Sequence, residues 1–139
     1  MIKTFVGFDV GTKRTGVAIG NDLTLAARGE FVVIHHNDGR TNWVDIEKIL
    51  QEYRPHKVIV GVPYDIDGSV QEMTFVAKSF ARKLTEKFGI EHILVDEFLS
   101  SNEAKKQLKY NHFHKNSKRG EVDKKSAEII LQDFLHNFL

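Results

Sequence analysis

The chain has 139 residues, of which 41% are hydrophobic, and this length predicts one domain with a substantial core. It contains no cysteine, which excludes disulfide frameworks, thiolate metal sites and cysteine nucleophiles. We expect a cytoplasmic protein with no membrane partner, because the sequence shows neither a signal segment nor an apolar run of membrane-spanning length.

The net charge of +1 conceals an uneven distribution along the chain. Residues 105–125 hold eight lysines and arginines against two acids, a charge of +6, and the remainder has twelve basic and seventeen acidic residues, a charge of −5. A concentrated basic segment is typical of a surface that binds a polyanion, although a solvated loop would give the same pattern.

The first half of the chain predicts three strands, a helix and a fourth strand. Two short apolar runs, residues 4–10 and 15–19, are joined by a polar turn and predict a β-hairpin. Residues 29–35 predict a third strand, and apolar residues at helical spacing predict a helix over residues 43–53. The nearly continuous apolar run 57–62 is typical of a strand buried on both faces.

The second half predicts helices around one further strand. The predicted elements are a helix at 70–88 ended by Gly89, a strand at 90–95, a short helix at 100–109, a basic loop at 110–120 and a final helix at 122–138. An early hairpin followed by strand–helix–strand units predicts an α/β protein: a five-stranded mixed sheet, with its first, fourth and fifth strands parallel and helices on both faces.

Acidic residues follow the predicted parallel strands. Asp9 ends the first strand, Asp65 lies just past the fourth, and Asp96 and Glu97 end the fifth. Because the carboxyl ends of parallel strands share one edge of a sheet, we expect these acids to converge there. Asp123 opens the final helix, on the apolar stripe that faces the body of the protein.

Converging carboxylates predict a divalent metal. Two carboxylates about 4 Å apart repel by roughly 4 kcal/mol at an effective dielectric constant near 20. With no cysteine and no helical histidine pair, oxygen ligands favour Mg²⁺ or Mn²⁺, which can drive hydrolysis of a phosphodiester. Other roles stay open: Asp9 could brace its turn, Asp65 and Asp67 are ordinary turn residues, and Asp123 could complement a helix dipole.

Several cations are candidates for binding nucleic acid. Lys13 and Arg14 lie one turn from Asp9 and could position a phosphate. The basic loop, with aromatic residues able to stack on bases, could hold the strand through Lys115, Lys118 and Arg119.

Four segments in order resemble a known family. They are residues 7–18 (GFDVGTKRTGVA), residues 60–63 with Asp67 and Gly68, the pair Asp96 and Glu97 with Leu99, and residues 122–132. Together they resemble the YqgF family, also called RuvX, which is related to the RuvC Holliday-junction resolvases. The first segment alone would also resemble the nucleotide sites of actin-like proteins and sugar kinases.

The resemblance implies an RNase H-like fold and a metal-dependent nuclease site using Asp9, Glu97 and Asp123. It also implies maturation of the 5′ end of pre-16S ribosomal RNA, or, in an older assignment, Holliday-junction resolution. The sequence departs from the family pattern at Phe98, where Arg is usual, and at Asp65, where Asn is usual.

We therefore expect a metal-dependent endonuclease that acts on RNA rather than branched DNA. The alternatives are a junction resolvase, which would require a dimer, and a module that binds nucleic acid without cutting it. An ATP-binding actin-like protein is disfavoured because 139 residues are too few for its paired domains. Both a monomer and a homodimer remain compatible with the sequence.

Overall fold

The computed structural model describes residues 1–65, 67–97 and 119–139. The elements in chain order are β1 (Thr4–Asp9), β2 (Arg14–Asn21), β3 (Ala27–Ile34), α1 (Trp43–Tyr53), β4 (Lys57–Pro63), α2 (Glu72–Phe88), β5 (His92–Glu97) and α3 (Arg119–Asn137). None of the helices within these ranges is long and apolar enough to cross a membrane.

The five strands form one mixed sheet in the order β3-β2-β1-β4-β5. β1 pairs antiparallel with β2, and β2 antiparallel with β3, as a meander. β4 pairs parallel with β1 on one side and with β5 on the other. The prediction that the first, fourth and fifth strands are parallel is confirmed, and their carboxyl ends lie at one edge of the sheet.

Helices cover both faces of the sheet, as predicted. Phe8 packs with Phe80 and Ile46 in the core on the side of α1 and α2. Phe5 and Leu131 belong to a second core between the opposite face and α3. Burying one side chain of this size stabilises the folded protein by about 1.5–3 kcal/mol.

The first two helices lie close to their predicted positions. The bounds of α1 match the prediction, and the side chain of Asn42 caps it by accepting a hydrogen bond from the Asp45 N–H at 3.2 Å. α2 starts two residues later than predicted, because Gln71 and Thr74 form a capping box there. Gly89 ends α2 in the left-handed conformation.

Two later elements differ from the prediction in where they begin. β5 begins at His92, two residues later than predicted, and it ends at Asp96 and Glu97 as predicted, where these acids pair with Val62 and Pro63 of β4. α3 begins at residue 119, so Asp123 lies one turn inside this helix and does not open it. The short helix predicted at 100–109 and most of the predicted basic loop lie outside the described residues.

α3 lies unusually close to the sheet because glycines occupy the strand positions beneath it. A Cβ atom added to any of five sheet glycines would come within 2.8 Å of an atom of α3; these are Gly7, Gly16, Gly20, Gly29 and Gly61. At Gly16 the atom it would meet, 2.0 Å away, is the backbone oxygen of Asp123. A helix backbone cannot move aside as a side-chain tip can, so Gly16 fixes the height of the N-terminal part of α3 above β2.

We predict that Gly16→Ala destabilises the protein by about 3 kcal/mol or more, since the new methyl group must displace the backbone of α3. Denaturant unfolding followed by circular dichroism measures the change. Gly120→Ala is the matched control: its methyl group would lie 3.4 Å from Val32, and alanine favours a helix over glycine by up to about 1 kcal/mol. Wild-type stability in Gly16→Ala would show that α3 is not seated in this way.

A buried histidine ties the β1–β2 turn to the start of α1. The ring Nε2 of His35 lies 2.7 Å from Thr15 Oγ1, and its Nδ1 accepts a hydrogen bond from the Asn42 N–H at 3.2 Å. An accepting Nδ1 leaves the proton on Nε2, which donates to Thr15. The backbone N–H of His35 donates to the Lys13 carbonyl at 3.0 Å. Burial, with a smaller contribution from His36, lowers the pKa of His35 below its usual value.

This lowered pKa predicts a loss of stability in acid. The contribution of neutral His35 is fully present above the unfolded pKa of about 6.5 and declines as the pH falls through that value toward the folded pKa. Urea unfolding at a series of pH values from about 7.5 to about 5 should therefore show a steeper fall for wild type than for His35→Gln. If the free energies of unfolding of the two proteins fell in parallel with pH, His35 would not be the cause of the loss of stability in acid.

Candidate active site

Asp9 is the last residue of β1, at the carboxyl edge of the sheet. Side chains alternate along a strand, so Asp9 shares a face with Phe5 and Gly7, which lie beneath α3. It pairs with Gly16 in the β1–β2 register. The predicted carboxylate therefore lies at the end of the strand on the α3 face, beside the point where α3 contacts β2.

Glu97 is the last residue of β5 and is only 7% exposed. Its Oε2 lies 2.6 Å from the position that a Cβ of Gly61 would occupy. The side chain of Glu97 thus extends from the outer strand over β4, toward the centre of the sheet. A side chain at residue 61 would fill the space that this carboxylate occupies, and a buried carboxylate is costly without polar or cationic partners.

Asp123 is held against the end of β2 by its backbone and by its side chain. Its backbone oxygen lies over Gly16, the register partner of Asp9. Its Oδ2 accepts a hydrogen bond from Arg14 Nε at 2.9 Å, and the Asp123 and Arg14 side chains are 23% and 30% exposed. The guanidinium of Arg14 is therefore a cation already present in the acidic region.

Asp9, Glu97 and Asp123 lie at one edge of the sheet on the side of α3, whereas Asp96 alternates with Glu97 and faces the other side. The three acids do not form a closed ligand set. Across residues 1–65, 67–97 and 119–139, no group of three or more His, Asp or Glu side chains is arranged to hold a metal ion. The acids still fit a hard divalent cation by donor chemistry, because carboxylate oxygens are the ligands that Mg²⁺ and Mn²⁺ prefer. The assignment of Asp9, Glu97 and Asp123 as metal ligands stays a prediction.

The candidate phosphate-binding residues fall into three groups. Lys13 is exposed in the β1–β2 turn, whereas Arg14 is paired with Asp123. Arg119 begins α3, so it belongs to a helix and not to the predicted loop. Lys115 and Lys118 lie outside the described residues, as does Phe98. Lys13 and Arg14 lie in and just after the turn that follows Asp9, next to the acidic edge.

The loop after β4 is stabilised by its own acids. Asp65 accepts hydrogen bonds from Ser69 Oγ at 3.1 Å and Gln71 Nε2 at 3.3 Å. Asp67 accepts from the Ser69 N–H at 2.8 Å, and hydrogen bonding from Ser69 lowers the pKa of Asp67 below its usual value. These contacts match the turn role that the sequence left open for both residues.

Sequence reasoning missed the contacts that assemble the edge. It treats Gly61 and Gly16 as ordinary strand residues. The missing side chain of Gly61 leaves space for the carboxylate of Glu97, and that of Gly16 leaves space for the backbone of α3. It assigns Arg14 to phosphate alone, without its pairing to Asp123. The glycine within each apolar run is the available signal, because glycine inside a strand often marks a close backbone approach.

Comparison with solved structures identifies the fold. The chain superimposes on Thermus thermophilus RuvC in complex with a Holliday junction substrate with a TM-score of 0.59 and 16% identity, covering 96% of this chain and 94% of that one. The fowlpox virus Holliday junction resolvase gives a TM-score of 0.56 and 16% identity over 100% of both chains. The expected RNase H-like fold is thereby confirmed.

Comparison of sequences gives nearer relatives. A protein of Shewanella oneidensis named "Putative pre-16S rRNA nuclease" is 41% identical over 135 residues, 97% of this chain and 95% of that protein. A protein of the same name from Klebsiella pneumoniae strain 342 is 41% identical over 134 residues, 96% of each chain.

A family model agrees with these relatives over almost the whole sequence. The family is RuvX, described as Holliday junction resolvase, and its model matches residues 3–137. The matched range includes β1, with Asp9, and all of α3. The resemblance seen in the four sequence segments is confirmed: this chain belongs to the RuvX family.

Proposed function

We propose that the chain is a metal-dependent endonuclease that cuts RNA, with the 5′ region of precursor 16S ribosomal RNA as its substrate. The two relatives described above carry the name of such a nuclease. The observation that carries the proposal is the close seating of α3, which brings the backbone of Asp123 onto the register partner of Asp9. Two acids from opposite ends of the sequence thereby lie at one edge of the sheet.

In this proposal Asp9, Glu97 and Asp123 hold Mg²⁺ or Mn²⁺. The bound metal would activate a water molecule and stabilise the leaving oxygen of the phosphodiester. Lys13, exposed one turn from Asp9, would contact the phosphate. Arg14 donates to one oxygen of Asp123, and because a carboxylate has two oxygens, Asp123 can ligate a metal while this pairing persists.

The basic segment would supply general attraction for the RNA backbone. Lys115, Lys118 and Arg119 are assigned to this role from sequence, in a stretch of charge +6. Such contacts are independent of base sequence and weaken as salt rises. We place the activity in the cytoplasm, where ribosomes mature.

We predict that Asp9→Asn reduces cleavage of precursor 16S RNA by at least about a hundredfold, because even loss of a residue that only supports a metal ligand costs about 10–100-fold. Cleavage is measured on labelled RNA with Mg²⁺, with Mn²⁺ and with a chelator. Asp22→Asn is the matched control, since Asp22 follows the opposite end of β2 and accepts from the Lys3 N–H. Full activity in Asp9→Asn would disprove the metal site.

A second candidate function is resolution of Holliday junctions, which the description of the family favours. Symmetrical cutting of two strands needs two active sites, so this function requires a dimer at working concentration. The same preparations, tested on a four-way DNA junction, distinguish RNA cleavage from junction resolution. Paired symmetrical nicks made by a dimer would favour junction resolution over RNA cleavage.

The pairing of Arg14 with Asp123 gives a further prediction. A double-mutant cycle with Arg14→Met and Asp123→Asn in metal-free buffer should give a coupling energy of about 0.5–1 kcal/mol that shrinks in about 1 M salt, as expected for a partly buried ion pair. The same cycle on Arg40 and Asp38, whose side chains are 76% and 56% exposed, is the control and should give a smaller coupling energy. Equal couplings would mean that Arg14 does not specifically neutralise the site.

A further inference from the structure

A cavity of about 480 Å³ lies on the other face of the sheet, between the β1–β2 turn and α2. One wall is formed by the turn residues Gly11 and Thr12, and the other by Phe75, Ser79 and Lys83 of α2. The three helix residues are spaced four positions apart, so they form one row along α2. We call this space the turn–helix cavity.

The lining of the turn–helix cavity combines an aromatic ring, hydroxyl groups and a cation. Phe75 is 67% exposed, which is unusual for a large aromatic side chain beside an otherwise well-packed core. Lys83 supplies a positive charge, and Thr12 and Ser79 supply hydroxyl groups. Phe75 and Lys83 lie two helical turns, about 12 Å, apart along this lining. An exposed ring and a lysine in one cavity match the chemistry that binds single-stranded nucleic acid, where a base stacks and a phosphate is neutralised.

The turn–helix cavity differs from two other cavities in the described part of the chain in the charge of its lining. Its lining contains no Asp or Glu. A cavity at the opposite edge of the sheet is lined by Glu47 and Glu91 but also by Arg54 and Lys87, so its charges balance. A cavity between β5 and α3 is acidic, because Asp96, Glu97 and Asp133 line it. The first offers a polyanion no net attraction and the second repels it, so charge complementarity favours the turn–helix cavity for a nucleotide.

The cavity begins close to the acidic edge. Val10 and Gly11, which line it, directly follow Asp9 in the chain. Consecutive Cα atoms are about 3.8 Å apart, so the Gly11 wall begins within about 8 Å of Asp9. A strand that crosses this edge of the sheet could place a phosphate at Asp9 and an adjacent base on the far side of the turn.

We infer that the turn–helix cavity binds an unpaired nucleobase of the substrate strand, next to the phosphate that is cut, with the base stacked on Phe75 and the adjoining phosphate near Lys83. This inference rests on the proposed RNA cleavage for the identity of the strand. It adds a requirement that the acidic edge does not impose: the nucleotide beside the cut must be unpaired.

Binding without cleavage tests the inference. Fluorescence anisotropy with a single-stranded RNA from the precursor 5′ region, in chelator, should show binding about tenfold weaker for Phe75→Ala, because base stacking on an aromatic ring is typically worth that much. Phe138→Ala, which removes another exposed aromatic side chain (65%) from the far end of the chain, is the control and should bind as wild type does. Equal binding by Phe75→Ala and wild type would overturn the inference.

A second variant reports stacking directly. Phe75→Trp should keep the affinity, and its added indole fluorescence should be quenched by RNA but not by the same RNA with an abasic residue beside the cut. Lys83→Ala should lower the slope of log affinity against log salt by about one, whereas Lys48→Ala on the exposed face of α1 should not. Unquenched indole fluorescence in Phe75→Trp, or an unchanged slope for Lys83→Ala, would contradict the inference.

These measurements distinguish failure of the inference from failure of the proposed function. Weakened RNA binding by Phe75→Ala together with no cleavage by wild type would keep the cavity as a base-binding site and reject the endonuclease. Cleavage by wild type with unaltered binding by Phe75→Ala would reject the cavity and keep the endonuclease.

Discussion

The close contact between α3 and the bare backbone of the sheet determines where the acidic residues of this protein lie. Gly16 and Gly29 bring two strands against backbone oxygens of α3, at distances of 2.0 and 2.4 Å from their absent Cβ positions. Ordinary helix–sheet packing through two layers of side chains would lift α3 away from the strands. Asp123 would then lie away from the strand end that carries Asp9, and the edge would hold acids of the sheet alone.

The same seating explains the electrostatics of the edge. Asp123 comes close enough to β2 to pair with Arg14, and Gly61 leaves space for the buried carboxylate of Glu97. Carboxylates gathered in a partly buried region repel one another, so the region needs positive charge in every state of the protein. Arg14 supplies part of this charge through its pairing with Asp123, and the proposal assigns the larger share to a divalent cation.

Elements governed by local pattern were predictable from the sequence, whereas features governed by tertiary contact were not. The bounds of α1 followed from apolar residues at helical spacing, and Asp9 was identified because it ends a predicted parallel strand, where acids converge. β5 begins at His92 and not at residue 90, because its pairing with β4 starts there, opposite Val58, and local propensity does not reveal this. The turn–helix cavity likewise forms only when α2 packs beside the β1–β2 turn.

Anomalous diffraction from crystals soaked in Mn²⁺ tests most directly whether carboxylates from β1, β5 and α3 bind divalent metal together. We expect a peak at the carboxyl edge, with oxygens of Asp9, Glu97 and Asp123 about 2.1 Å from one ion or from an adjacent pair. Manganese bound elsewhere, or a carboxyl edge without manganese, would contradict the proposed site.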